Sequence, residues 1–178
     1  MRQTIQKALL GAATAFLALG FTMAHAEEPA PGLASTEEYV TQAAAGDLFE
    51  IRSSEIALQR SRNDDVREFA QTMIEDHTES SSNLKVAVAD ARLPVTLPTE
   101  PDDAQQEKIG QLEDAEAGEF DRLYIQLQIE AHDEALQLHR NYAENGELEP
   151  LQEIASDAAS TVESHRDTLE SLRDDLGR

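Results

Sequence analysis

Apolar residues recur every three or four positions along most of this chain, the spacing that gathers side chains on one face of an α-helix. One run is Val66, Ala70, Met73, His77, Ser80, Leu84 and Ala87; another is Leu151, Ile154, Ala158, Thr161, His165, Leu169 and Leu172. A third is Ala44, Leu48, Ile51, Glu55 and Leu58, and a fourth is Phe120, Tyr124, Leu127, Ala131 and Leu138. No segment alternates in the manner of a strand. The pattern predicts an all-α protein.

Local signals divide the pattern into helices. Ser35-Thr36-Glu37-Glu38 is an S-x-x-E capping box, which satisfies free N–H groups at a helix start. The first helix is expected over about 36–62. Asn63-Asp64-Asp65 supplies a tight joint and a new N-cap, with acidic groups at the positive end of the next helix dipole. The second helix is expected over about 65–92. Pro94, Pro98 and Pro101 then forbid helix, so this stretch reads as a crossing linker. Helical pattern resumes near Asp102 and continues to Glu144, where Asn145-Gly146 ends it. As one rod it would span ~64 Å against ~40 Å for each of the first two helices, leaving turns without packing partners. Gly110 and Gly118 offer breaks. The expectation is therefore a short accessory helix, about 103–115, and a third long helix, about 118–144. Pro150 suits the first turn of a last helix that runs to about Leu176. Four long helices of nearly equal length predict an up-down-up-down bundle, one domain over 36–176.

The N-terminus has a separate character. Arg2 and Lys7 precede an apolar stretch from Ala8 to Met23, followed by Ala24-His25-Ala26. This is the layout of a secretory signal peptide over residues 1–26, and the stretch is short of the ~20 residues a spanning helix needs. Pro29, Pro31 and Gly32 mark 27–35 as a flexible leader. The expected mature protein is periplasmic or secreted, with no stable membrane insertion. There is no cysteine, hence no disulfide and no thiolate ligand. The formal net charge is −22, becoming −24 without Arg2 and Lys7. A nucleic-acid partner is excluded by that balance, since phosphate binding needs a basic face.

Three ionisable residues interrupt the apolar runs: Glu55, His77 and His165. Burying such groups is costly unless they are paired, neutralised or metal-bound. His132 lies one residue off its stripe, on a flank shared with Asp121, Gln128 and His139. Bundles build metal sites from side chains on facing helices, and neutral imidazole is the commonest ligand. Glu55, His77, His132 and His165 are therefore candidate ligands for one ion. Three His and one Glu suit zinc, iron or copper better than calcium or magnesium. Asp76 and Asp121 are expected to orient the imidazoles. His139, seven residues from His132 and ~10 Å along the axis, is too far to share that ion and reads as a surface histidine. Tyr124 reads chiefly as core. The alternative is that these polar residues form a structural network in a non-enzymatic envelope or stress protein, which acts by binding a protein partner. No D-x-[DN]-x-[DN]-G loop, G-x-S-x-G elbow or phosphate-binding glycine loop is present, so neither a hydrolase nor a kinase is expected.

The segment Phe69-Ala70-Gln71-Thr72-Met73-Ile74-Glu75-Asp76-His77 resembles the F-A-x-x-M-x-x-D-H signature of the domain of unknown function 4142 family. Phe120-Asp121-Arg122-Leu123-Tyr124, with Gln128 and Ala131-His132 following, is similar to that family's F-D-x-x-Y…H segment. Glu55 and His165 match its helix-1 glutamate and late histidine. The resemblance implies a ferritin-like four-helix bundle, usually exported by bacteria, and supplies no biochemical activity. No Glu-x-x-His stands around His77, His132 or His165, so the paired-iron ligand set of ferritin-like enzymes is not expected. The Leu-Pro that often opens the family's last motif is also missing before His165.

Overall fold

The computed structural model describes residues 35–177; the expected signal peptide and nearly all of the leader lie outside the described residues. Five helices follow one another: α1 Thr36–Arg60, α2 Asp64–Asp90, α3 Asp103–Asp114, α4 Phe120–Asn145 and α5 Glu149–Leu176. No strand occurs among the described residues. No helix among them is long and apolar enough to cross a membrane.

The sequence signals act where they stand. Ser35 caps α1 by accepting from the Glu38 N–H. The Asn63 side chain accepts from the N–H groups of Asp65 and Val66. Asp102 and Gln105 form a reciprocal capping box at the start of α3. Pro150 sits in the first turn of α5, where its missing N–H costs nothing. Chain reversal at the end of α2 uses Arg92 in the left-handed conformation, φ 53°. There Leu93 N–H bonds to Val88 C=O and Arg92 N–H to Ala89 C=O, satisfying the last carbonyls of α2.

Short joints make α1–α2 and α4–α5 antiparallel hairpins. The hairpins pack through α1 on α4 and α2 on α5, while α3 lies against α1 and α4. The Arg60 guanidinium fixes α3 by donating to the carbonyls of Leu112, Glu113 and Ala115, and it stacks 5.0 Å from the Phe120 ring centre. The all-α, ferritin-like bundle with an accessory helix is as the sequence predicts. The order of directions differs. Tyr39 near the start of α1 meets Tyr142 near the end of α4, and Ser54 near the end of α1 meets Tyr124 near the start of α4. Hence α2 and α4 run the same way, giving up-down-down-up. The physical reason is the 91–119 segment, which returns along the bundle as one long crossover, where equal helix lengths alone favoured strict alternation.

The core has three layers along the bundle axis. One apolar end gathers Phe49, Ala57, Val66, Phe69, Met73, Phe120, Tyr124 and Leu169. The other gathers Tyr39, Val40, Leu84, Tyr142 and Leu151. Between them lies a buried polar layer of Asp47, Glu50, His77, His132, His139 and His165. Apolar floors on both sides lower the local dielectric of that layer and strengthen the electrostatic interactions within it.

Candidate metal centre

Three imidazoles meet in the polar layer, one from each of α2, α4 and α5. His77, His132 and His165 are 8%, 1% and 5% exposed, and one nitrogen from each ring lies within 4.8 Å of the other two. Each ring is also held from outside. His77 Nδ1 donates to Asp47 Oδ1 at 2.8 Å, and Asp47 is steadied in turn by Ser81 at 3.1 Å. His132 Nδ1 donates to the Gln128 carbonyl at 2.8 Å, with Glu50 Oε1 at 3.4 Å. His165 Nε2 donates to Asp76 Oδ2 at 2.8 Å.

These anchors fix the tautomers. A carboxylate or carbonyl only accepts, so each outer nitrogen carries the proton, and the inner nitrogen of a neutral ring keeps a lone pair. The inner nitrogens are then Nε2 of His77, Nε2 of His132 and Nδ1 of His165. The last two are 3.3 Å apart, and His77 Nε2 is buried without a hydrogen-bond partner. With all three rings neutral, three lone pairs would face one another and repel, unless a proton or a metal ion stands among them. A small contraction of the triangle would hold one ion at about 2.0–2.1 Å from each nitrogen.

Electrostatics divides the rings. Burial pushes His132 down to about 3, and the neighbouring His77 and His165 add to the shift. Burial likewise lowers His165, outweighing its bond to Asp76. Burial also opposes charge on His77, but the Asp47 bond and the charges of Glu50, Asp47 and Asp76 together overcome it and raise its value. Burial raises Glu50 to about 7 against the opposing His77 charge. Burial thus favours the neutral, ligating form of two rings, while acidic neighbours favour a proton on the third, where a metal would compete for it.

The structure separates the residues singled out in sequence. It brings His77, His132 and His165 together and places Asp76 on His165. Glu55 is elsewhere: its side chain is 45% exposed and pairs with Arg52 at 3.3 Å, so it belongs to no ligand set. The reason is a one-residue shift of the inward face of α1, which carries Val40, Ala43, Asp47, Glu50, Ser54 and Ala57. Asp121 does not orient an imidazole either. It lies eleven residues before His132, ~16 Å along α4, with a buried Oδ1 that has no partner. His139 is buried at 8%, not a surface group; its Nδ1 meets the Tyr39 hydroxyl at 3.2 Å, and burial lowers it to about 4. Tyr124 is core, with its hydroxyl 2.8 Å from Ser54 Oγ. Sequence reading missed Asp47 and Glu50. The 3-4-3-4-3 spacing of the Val40 to Ala57 series could have found them, had two carboxylates on a core face been accepted.

Fold and site together define an all-α, ferritin-like bundle with a buried imidazole cluster. The chain belongs to the family described as Domain of unknown function (DUF4142), whose model matches residues 22–172. It is similar to CopM in the Cu(II)-bound form, with 16% identity and a TM-score of 0.69, covering 80% of this chain and 98% of that one. CopM in the Cu(I)-bound form gives 17% identity and a TM-score of 0.67, covering 80% and 97%. A DUF305 fragment from Deinococcus radiodurans gives 17% identity and a TM-score of 0.68, covering 79% and 94%. At these identities the likeness is one of fold. No curated protein matches the chain.

Proposed function

We propose that this is an exported bundle protein that binds one transition-metal ion through His77, His132 and His165. The observation that carries this reading is the polarity of the three rings. Every outer nitrogen is tied to an acceptor, and every inner nitrogen is turned toward the other two. Outer-sphere acceptors of this kind orient a ligating imidazole and raise its basicity. Three ring nitrogens gathered within 4.8 Å of one another suit a shared cation better than a purely structural cluster. Export rests on the signal-like layout of residues 1–26.

Imidazole donors suit zinc, copper and iron. Copper is the first ion to test, because it stands highest in the divalent affinity order and CopM, titled in Cu(II)- and Cu(I)-bound forms, shares the fold. The test is metal analysis of natively purified residues 27–178, followed by Cu(II) and Zn(II) titration. One ion per chain is expected, with uptake abolished in His77→Ala/His165→Ala while helix content is retained. A protein that takes up no stoichiometric zinc, iron or copper overturns the reading.

One observation favours a second reading. Parts of the polar layer satisfy one another with no ion: Gln128 donates to Ser53 at 3.0 Å, and Ser54 pairs with Tyr124. Buried polar groups of this kind can fix helix register in an envelope or stress protein that acts on a protein partner. The same titration decides. Absent uptake, together with lost stability in the histidine variants, selects this alternative.

A further inference from the structure

A crevice of about 590 Å³ opens between α2 and α5, and His165, one of the three imidazoles, lines it. Asp65, Glu68 and Asp76 line the α2 side, and Thr72 stands among them. On the α5 side are Ser160, Thr161, Ser164 and Thr168. Neither lysine nor arginine is among the residues that line it. Phe69 and His165, both buried, close the bottom. Behind His165, at 5.7 Å between ring centres, stands His77, 8% exposed, with its Nε2 unpartnered.

The hydroxyls are turned for a cation. Thr72 donates to the Glu68 carbonyl, Ser160 to Ser156, Thr161 to Asp157 and Thr168 to Ser164, each on its own helix. These four hydroxyl protons are therefore occupied, and their oxygen lone pairs remain available to a cation. Carboxylates at the rim concentrate cations in a cleft with low-dielectric walls. Asp76 joins rim to floor: its side chain is 42% exposed and one oxygen holds His165, which leaves the second oxygen for an arriving ion.

We propose that the α2–α5 crevice is the loading route by which a hydrated divalent cation reaches the three imidazoles. It first meets the Asp65 and Glu68 carboxylates. It then exchanges water for hydroxyl oxygens and Asp76, and passes His165 into the cluster. Asp76 is a positioning residue for His165 and the last oxygen station outside the nitrogen site. This inference rests on the three-imidazole reading of the site.

The test is stopped-flow association and chelator-driven release of Cu(II) with residues 27–178. Asp65→Asn/Glu68→Gln is expected to slow association about tenfold at low ionic strength, with the difference shrinking as salt rises. Thr72→Leu/Ser164→Leu narrows the passage and is expected to slow uptake and release several-fold by the same factor, leaving Kd unchanged. A merely structural disturbance would change Kd or helix content instead. Val86→Leu, at an α2 position that is 57% exposed, serves as the control and is expected to change neither rate. A wild-type protein that binds Cu(II), with both rates untouched by the leucines, overturns the route alone. A wild-type protein that binds no ion overturns the imidazole site and the route with it.

Discussion

Asp47 Oδ1 lies 2.8 Å from His77 Nδ1, across the seam between α1 and α2. That bond fixes which nitrogen of His77 faces the cluster and raises the basicity of the ring. Asp47→Asn is expected to weaken metal affinity about 10–100-fold without changing stoichiometry. Competitive titration against a chelator checks it. An unchanged Kd would mean that His77 is oriented by packing alone.

Metal uptake is expected to release a proton. His77 is raised above the ordinary imidazole value by Asp47, Glu50 and Asp76 against the opposing effect of burial, so its proton competes with the ion. His132 and His165 are lowered and contribute almost none. Affinity should therefore fall as pH falls, with the proton released on binding traced to His77. Calorimetry in buffers of different ionisation heat counts that proton. No buffer dependence of the heat would sink the assignment of charge to His77.

His139 gives a stability prediction with a defined sign. Its folded value is about 4 because burial disfavours its charge. The unfolded state, near the ordinary value of ~6.5, takes up a proton first. The native state then loses stability as pH falls from ~6.5 toward 4, and holds it fully above that window. His139→Gln cannot titrate, so its stability should depend less on pH across the same interval. Urea melts at several pH values compare the two slopes. A wild-type-minus-variant difference that stays constant with pH would refute the idea.

Glu55 supplies the contrasting case. Its contact with Arg52 is between two half-exposed side chains on one helix, an arrangement worth ~0–1 kcal/mol. Glu55→Ala is expected to leave metal uptake unchanged and to shift stability by no more than about 0.5 kcal/mol. Parallel melts and titrations check it, and lost uptake would restore Glu55 to the ligand set.

The contrast between Glu55 and Glu50 shows where sequence reading reached its limit. On α2 and α5 the buried faces carry enough Val, Met and Leu that apolar spacing located His77 and His165 correctly. On α1 and α4 the innermost positions are polar: Asp47, Glu50 and Ser53 on one side, Gln128, His132 and His139 on the other. A hydrophobic pattern therefore selected the neighbouring register along α1 and in the second half of α4, one residue off, whereas Phe120, Tyr124 and Leu127 are buried as expected. Those polar groups are tolerated inside because they complete one another across the α1–α4 seam, as Gln128 does with Ser53. That pairing exists only after folding. Helix ends were legible because caps are local. The crossover direction was not, since prolines mark where a helix stops without stating where the next begins in space.

The cluster draws its nitrogens from both halves of the molecule: His77 from the α1–α2 hairpin, His132 and His165 from the α4–α5 hairpin. In a chain without cysteine, a shared ion would do the work of a cross-link, but a removable one. A hundredfold excess of free ion over Kd would add ~2.7 kcal/mol to the folded state, and scarcity would take it away. A disulfide clasps a fold regardless of its surroundings, whereas this clasp would tighten with the supply of metal around it.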